Sequence, residues 1–305
     1  SLSCAICATF VCFDIFVQYF FGKDIFGIAQ VGSRHYSAVF GKELIAGGYL
    51  QKFSLFVFFL PFVLKKNLSY KILIQIIVFI IFFIGIILSG NRMPLLLFIA
   101  SIFIYILFDK KLKKYFFIFF IAVSLLLALA WNTSQTFRYN SGNFYFNGKD
   151  LIQNLFTKNL RDKRVKAGHG NAYVVEFYCF KKIVKINPLL GGGIKSYRTF
   201  SGGCNNHPHN YYFEILTDLG LIGLSIILYF VFMLFREIFF KGSASTKFNL
   251  YAIDGKNMPF FLIFLFEFFP LRTSGSFFTT GSAATIFIIL AVLVSWVSKK
   301  KNYNY

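Results

Sequence analysis

The sequence predicts an all-α polytopic membrane protein carrying a large extracytoplasmic loop subdomain. Three observations predict it. Hydrophobic residues make up 57% of the 305-residue chain and charged residues only 14%, against about 25% charged in soluble domains. With a mean hydropathy of +0.64, no single core could hide this much apolar surface. Apolar runs of roughly 16–22 residues recur, the length that crosses a hydrocarbon layer roughly 30 Å thick. Lysine clusters fall on alternate sides of successive runs, so that one orientation places all of them in the cytoplasm, as the positive-inside rule requires.

Eight spans follow in order. The first, 1–20, is apolar, and Cys4, Cys7 and Cys12 inside it serve as small hydrophobes. The chain begins within this segment, with neither an initiator Met nor a basic stretch before it, so an N-terminally truncated fragment is expected. The second, 43–64, carries Lys52, a costly charge in lipid that must face an interior cavity or snorkel; Lys65, Lys66 and Lys71 follow it. The third, 72–89, ends at the Ser89–Arg92 turn. The fourth, 93–108, runs into Lys110, Lys111, Lys113 and Lys114. Tyr115 and Trp131 bracket the fifth, 115–131, as interfacial aromatics do. The sixth, 211–235, opens behind Asn210, a residue suited to N-capping, with Glu214 in the first turn where negative charge complements the helix dipole. Arg236, Lys241 and Lys247 follow. The seventh, 258–271, is short, and the eighth, 283–298, ends in Lys299, Lys300 and Lys301. The outward pieces are then 21–42, the Ser89–Arg92 turn, 132–210 and 272–282. The chain divides into a five-span region (1–131), a loop subdomain (132–210) and a three-span region (211–305).

The large loop is strongly basic. Twelve Lys or Arg, among them Arg138 and Arg198, stand against Asp150, Asp162 and Glu176, a net charge of +9. Loops longer than about 60 residues escape the positive-inside rule, so the charge does not reverse the topology. On this side of the membrane it points away from nucleic acid and toward phosphate-bearing lipids or lipid-linked substrates. Residues 171–186 read as an amphipathic helix, with Tyr173, Val174, Phe177, Tyr178 and Phe180 available to lie on the membrane or on the spans. Cys179 and Cys204 share this loop and can pair in an oxidising compartment.

Chemistry concentrates at the loop's end. From Asn206 to Gly223 a polar, turn-forming stretch gives way to an apolar helix, which sets His209 at the mouth of a span. Gly220 and Gly223 there offer a small-residue face for close helix packing. Three roles are open to His209. It can be an interfacial histidine, or a metal ligand with Cys204 and His207, with or without His169, although that spacing matches no standard zinc site and has no nearby carboxylate. It can also be a general base, since an imidazole accepts a hydroxyl proton near neutral pH.

The pattern His209-Asn210, nine residues, then Gly220-x-x-Gly223 resembles the signature of the bacterial O-antigen ligase and O-antigen polymerase family. Other segments are similar in the same order: Asp14 to Gly27 with Arg34, Phe40-Gly41-x-Glu43-Leu44-x-x-Gly47, Ser89-Gly90-Asn91-Arg92, Asn187 to Gly193, and Phe269-Pro270-Leu271 with Gly275 to Phe278. The resemblance covers nearly the whole chain. It implies a multi-span, inverting glycosyltransferase of the bacterial inner membrane that needs no metal or other cofactor. Its active site would face the periplasm and use an undecaprenyl-diphosphate-linked glycan as donor. The acceptor would be a lipid A core sugar for a ligase, or a second carrier-linked glycan for a polymerase. His209 would be the catalytic base, with His207 and Asn210 orienting loop or acceptor. Arg34 and Arg92, then Arg138, Arg198 and Arg272, would meet the diphosphate, because guanidinium groups bind phosphate oxygens bidentately and stay charged. A transporter or lipid-glycan flippase is the alternative from another class. It calls for ionisable groups within several spans, broken helices and an internal repeat.

Overall fold

The computed structural model describes residues 2–30, 35–64, 68–156, 172–200, 207–240, 253–270, 272 and 275–302. Among these the fold is helical, with one isolated β-bridge between Lys23 and Ala29. Twelve α-helices are described: α1 Leu2–Phe21, α2 Ala46–Phe58, α3 Leu60–Val63, α4 Leu68–Leu88, α5 Arg92–Phe108, α6 Phe116–Thr133, α7 Gln135–Phe156, α8 Ala172–Val184, α9 Ser196–Phe200, α10 Tyr211–Phe239, α11 Met258–Glu267 and α12 Thr280–Asn302.

Six of the described helical segments are long and apolar enough to cross a membrane: Leu2–Phe21, Ala46–Val63, Tyr70–Leu88, Lys113–Thr133, Tyr211–Phe239 and Gly281–Lys299. The remaining two of the eight expected spans fall on shorter apolar helices, α5 and α11. The seventh is the one that changes. Instead of running from 258 to 271, α11 stops at Glu267 after 10 residues, roughly 15 Å of rise, half a hydrocarbon layer.

The chain packs as two compact units, residues 1–142 with 250–263, and residues 143–249 with 264–305. These group residues by packing, whereas the three expected segments group them by side of the membrane, so the loop 132–210 contributes to both.

In the first unit α1, α2, α4 and α5 pack on one another, and α6 lies against α5. Polar residues of α1 order the loop beyond it. Asp14 accepts a hydrogen bond from the Ile25 N–H at 2.8 Å, and the Gln18 amide donates to the Ile28 carbonyl while accepting from the Ala38 N–H. The Ser89–Arg92 turn meets the start of α2. Asn91 accepts from the Gly47 N–H at 3.0 Å and donates to the Leu44 carbonyl at 3.0 Å. A side chain at Gly47 would strike Ser89 and Asn91, which is why the smallest residue stands there. Two segments far apart in sequence, Glu43–Gly47 and Ser89–Arg92, are thus one structural feature.

The second unit is built around α10, against which α8, α9 and α12 pack. A core of Tyr211, Ile215, Phe277 and Ile286 joins the start of α10 to the segment before α12 and to α12 itself. The helix is broken at Gly220, whose backbone (φ 65°, ψ −169°) leaves the helical region. A break in an apolar helix strands amides and carbonyls that lipid cannot satisfy. The loop 187–193 satisfies them. Gly192 and Gly193 donate to the carbonyls of Thr217 and Asp218 at 2.8 and 3.0 Å, and the N–H groups of Leu221 and Ile222 donate to Pro188 and Leu189 at 2.9 and 3.2 Å. A Cβ on Gly191 would meet the backbone of Asp218, and one on Gly220 the backbone of Leu189. Both glycines also have positive φ, where a side chain is strained. Gly220 therefore admits a loop backbone, not the neighbouring helix that its sequence context predicts, and Gly223 lies against Leu219 of its own helix.

Candidate active site

Asn210 builds the start of α10. Its backbone is extended (φ −147°, ψ 124°) and its side-chain oxygen accepts from the N–H groups of Tyr212 and Phe213 at 3.0 and 3.3 Å. Two otherwise orphaned helix donors are satisfied this way, as the sequence predicts. The Asn210 amide also donates to the Pro270 carbonyl at 2.7 Å, so the cap ties α10 to the chain leaving α11.

His209 precedes the cap and takes φ 45°, an uncommon conformation for a residue with a side chain. Its ring lies 4.2 Å from that of His207, centroid to centroid, at 59°. Its Nε2 stands 3.8 Å from Glu176 Oε1, and the two side chains are 41% and 7% exposed. That separation is too long for a hydrogen bond. It is close enough for strong attraction when the imidazole is protonated, above all because the carboxylate is buried.

Glu176 reaches this position because α8 docks on the first turn of α10. Phe180 stacks on Phe213 at 4.2 Å and 13°, and Phe177 approaches the same ring at 5.8 Å. The amphipathic helix expected at 171–186 thus turns Phe177 and Phe180 to α10. Its other buried face, Cys179 and Ile183, packs on Tyr197 of α9. Cys179 is disulfide-bonded, while Cys4, Cys7 and Cys12 are free; Cys204 lies outside the described residues. The Tyr197 hydroxyl is buried without a hydrogen-bond partner. Burial and the Glu176 carboxylate both push its pKa up, so it stays a neutral phenol beside a carboxylate.

Arg198 sits on α9, whose start is fixed by Asp218 of α10. Asp218 accepts from the Lys195 N–H at 2.6 Å and from the Ser196 hydroxyl at 2.8 Å. The histidine pair senses Arg198: burial, the neighbouring His209 and the Arg198 guanidinium hold His207 below its ordinary pKa. Neutral imidazole is therefore the favoured form of His207.

Two further carboxylates brace the site. Glu214, one turn into α10, accepts from the Ser276 hydroxyl and from the Phe277 N–H. Glu267 accepts from the Tyr211 hydroxyl at 2.8 Å and from Arg272 Nη1 at 2.6 Å. Arg272 also donates to the Phe266 carbonyl, so its guanidinium is engaged in holding the end of α11.

The other expected arginines belong to the first unit. Arg92 is the first residue of α5 and donates to Asn140 at 3.4 Å. Arg138 is exposed and donates to the carbonyls of Trp131 and Asn132 at the end of α6, where a cation suits the helix dipole. Arg34, and with it Cys204 and His169 of the metal alternative, lie outside the described residues. Among the described residues no group of three or more His, Cys, Asp or Glu is placed to hold a metal ion.

The structure thus brings together His207, His209, Glu176, Arg198 and Tyr197. Sequence reasoning missed Glu176 and Tyr197 as site residues. The one signal available was an acidic residue on the apolar side of an otherwise basic loop helix.

Residues 76–228, half of the chain, match the profile of a family described as O-antigen ligase. The chain belongs to the O-antigen ligase family. It is a membrane glycosyltransferase of O-antigen ligase/polymerase type, built on several membrane-spanning helices. The matched region runs from α4 into α10. It contains the Ser89–Arg92 turn, Glu176, the loop 187–193, both histidines, Asn210 and the Gly220 break, so the family region covers the features that assemble this site. No curated protein and no solved structure matches the chain.

Proposed function

We propose that this protein transfers a glycan from an undecaprenyl-diphosphate carrier to a lipid A core sugar at the periplasmic face of the inner membrane, with His209 as general base and Glu176 as its positioning residue. The observation that carries the reading is the placement of His209 at the loop–helix junction, against a buried carboxylate. The acceptor hydroxyl attacks the anomeric carbon, a carbon–oxygen bond to the diphosphate breaks with inversion, and the hydroxyl proton passes to His209. The imidazolium so formed is stabilised by the buried carboxylate of Glu176. Neutral His207 beside it contributes a hydrogen-bonding edge without a competing charge.

A lipid diphosphate is already a good leaving group and needs charge stabilisation more than protonation. Arg198 is the guanidinium associated with the histidine pair, and we assign it to the diphosphate. Arg92 and Arg34 remain candidates for that role on sequence grounds, while the engagement of Arg272 with Glu267 favours a structural part for it. The loop's charge of +9 supports an anionic substrate. The Cys179 disulfide supports an oxidising compartment for this loop.

Product analysis in a deletion strain tests the reading. Accumulation of full-length carrier-linked polymer, restored to lipid A core by the native chain and not by His209→Ala, is the expected result. Lipid A core bearing a single repeat unit would instead assign the protein as the polymerase.

A further inference from the structure

A groove unrelated to the histidine site opens between α4, α5 and α6. Its cavity of about 470 Å³ lies within the range of pockets that hold a ligand, about 300–1,000 Å³. The walls are almost wholly apolar, formed by residues such as Ile76, Phe79, Ile80, Phe119 and Ala122. At one end it continues into a second cavity of about 320 Å³ with a different character. The two share Ile72, Gln75, Tyr105 and Leu112, and Gln75 donates to the Tyr105 hydroxyl at 3.4 Å where they join. The second cavity is lined by Lys71, Lys110 and Lys111, with Asp109 as its carboxylate. Asp109 is turned inward on its own loop, accepting from the N–H groups of Lys111 and Leu112 at 2.8 and 3.2 Å. Lys71 lies over the Phe62 ring at 4.7 Å, which keeps its ammonium at the rim.

An apolar slot running into a cationic mouth has the polarity of one lipid molecule. We propose that this groove is a binding site for an anionic diacyl phospholipid, with an acyl chain between α4 and α6 and the headgroup phosphate at Lys71, Lys110 and Lys111. Charge selects the occupant. A zwitterionic lipid fills the slot equally well but gains little from three lysines facing one carboxylate, whereas an anionic headgroup gains from each of them. The location supports the same occupant, because the slot lies along helices of membrane-spanning length and the lysines stand where α5 gives way to α6. A bound lipid would fill space beside α6, whose residues are otherwise the least buried of the spans.

Native mass spectrometry of the purified full chain tests the proposal, with dioleoylphosphatidylglycerol, dioleoylphosphatidylcholine and undecaprenyl phosphate as probes. The expected result is retention of phosphatidylglycerol at least tenfold above phosphatidylcholine. Retention should fall about fivefold for each of Lys71→Gln, Lys110→Gln and Lys111→Gln. Ala122→Trp, which fills the slot and leaves the lysines in place, should displace the lipid. Equal retention of the two phospholipids, an unchanged triple lysine variant, or an Ala122→Trp chain that still holds lipid would each overturn it. Tighter retention of undecaprenyl phosphate than of phosphatidylglycerol would overturn the phospholipid assignment.

Discussion

At the scale of single residues, His209 and Glu176 divide the work between them, and their variants should differ in kind. His209→Ala should lower turnover by roughly two to four orders of magnitude, the usual worth of a general base, in a chain that still inserts and purifies. Glu176→Gln should lower kcat about ten- to a hundredfold and leave KM for the donor nearly unchanged, because the carboxylate acts on the developing imidazolium and not on bound substrate. Glu176→Asp should recover part of the loss. If Glu176→Gln instead raises KM with kcat intact, the positioning role fails. His207 gives a pH prediction. Its pKa is depressed in the folded protein, so between that value and its ordinary 6.5 the unfolded chain binds the extra proton. Stability is therefore full above about pH 6.5 and declines as pH falls below it. Thermal unfolding in detergent at pH 7.5 and 5.5 should show a larger drop for the native chain than for His207→Asn. The histidine and its cap were legible in the sequence, because polar turn residues leading into an apolar run mark a helix start locally. Glu176 was not legible. Its partner lies 33 positions away across a helix packing that no periodicity announces.

Among the elements, the Gly220 break and the loop 187–193 form one unit. Gly220→Ala forces a side chain both into a left-handed backbone and onto the Leu189 backbone, and should cost about 1–3 kcal/mol or more. Gly191→Ala should cost a similar amount, and the double variant less than the sum, since either change already undocks the loop. Gly148→Ala, where an added Cβ meets nothing, is the control and should be neutral or stabilising by up to about 1 kcal/mol. Denaturant or thermal titration of the purified variants reads all four. Helix α8 carries a covalent bond as well: reduction of the Cys179 disulfide, or Cys179→Ser, should lower the melting temperature, since removing such a bond typically costs about 2–5 kcal/mol. The apolar spans were well legible, since apolar runs with lysine punctuation are local signals, whereas α7 and α9 within the loop carry no such run and went unread. The break was not, because glycine in an apolar run reads first as a packing contact. The early end of α11 at Glu267 was harder to read: Phe268 to Leu271 are apolar enough for a span, but Pro270 among them cannot continue a helix, and the Glu267–Arg272 pair closes the segment that follows.

For the whole molecule, sidedness is the property on which the functional reading turns. Single cysteines placed at Lys149 and at Lys113 should react differently with a membrane-impermeant maleimide on intact spheroplasts. The first should label from outside, and the second only after permeabilisation, as the lysine distribution dictates. Reversed labelling would remove the periplasmic assignment and leave the fold untouched. That separation follows from what the composition encodes: the membrane class comes from bulk hydropathy, orientation from a charge asymmetry, and chemistry from a few contacts between distant segments. The contact between Gly191 and Gly220 has a consequence for sequence evolution. Each glycine is confined by the other's neighbouring main chain, which substitution cannot shrink, so no second-site change can compensate for a side chain at either position. Across homologues keeping this break the two columns should be invariant together, and a covariation method, which needs paired change to detect contact, should be blind to this junction of the second unit.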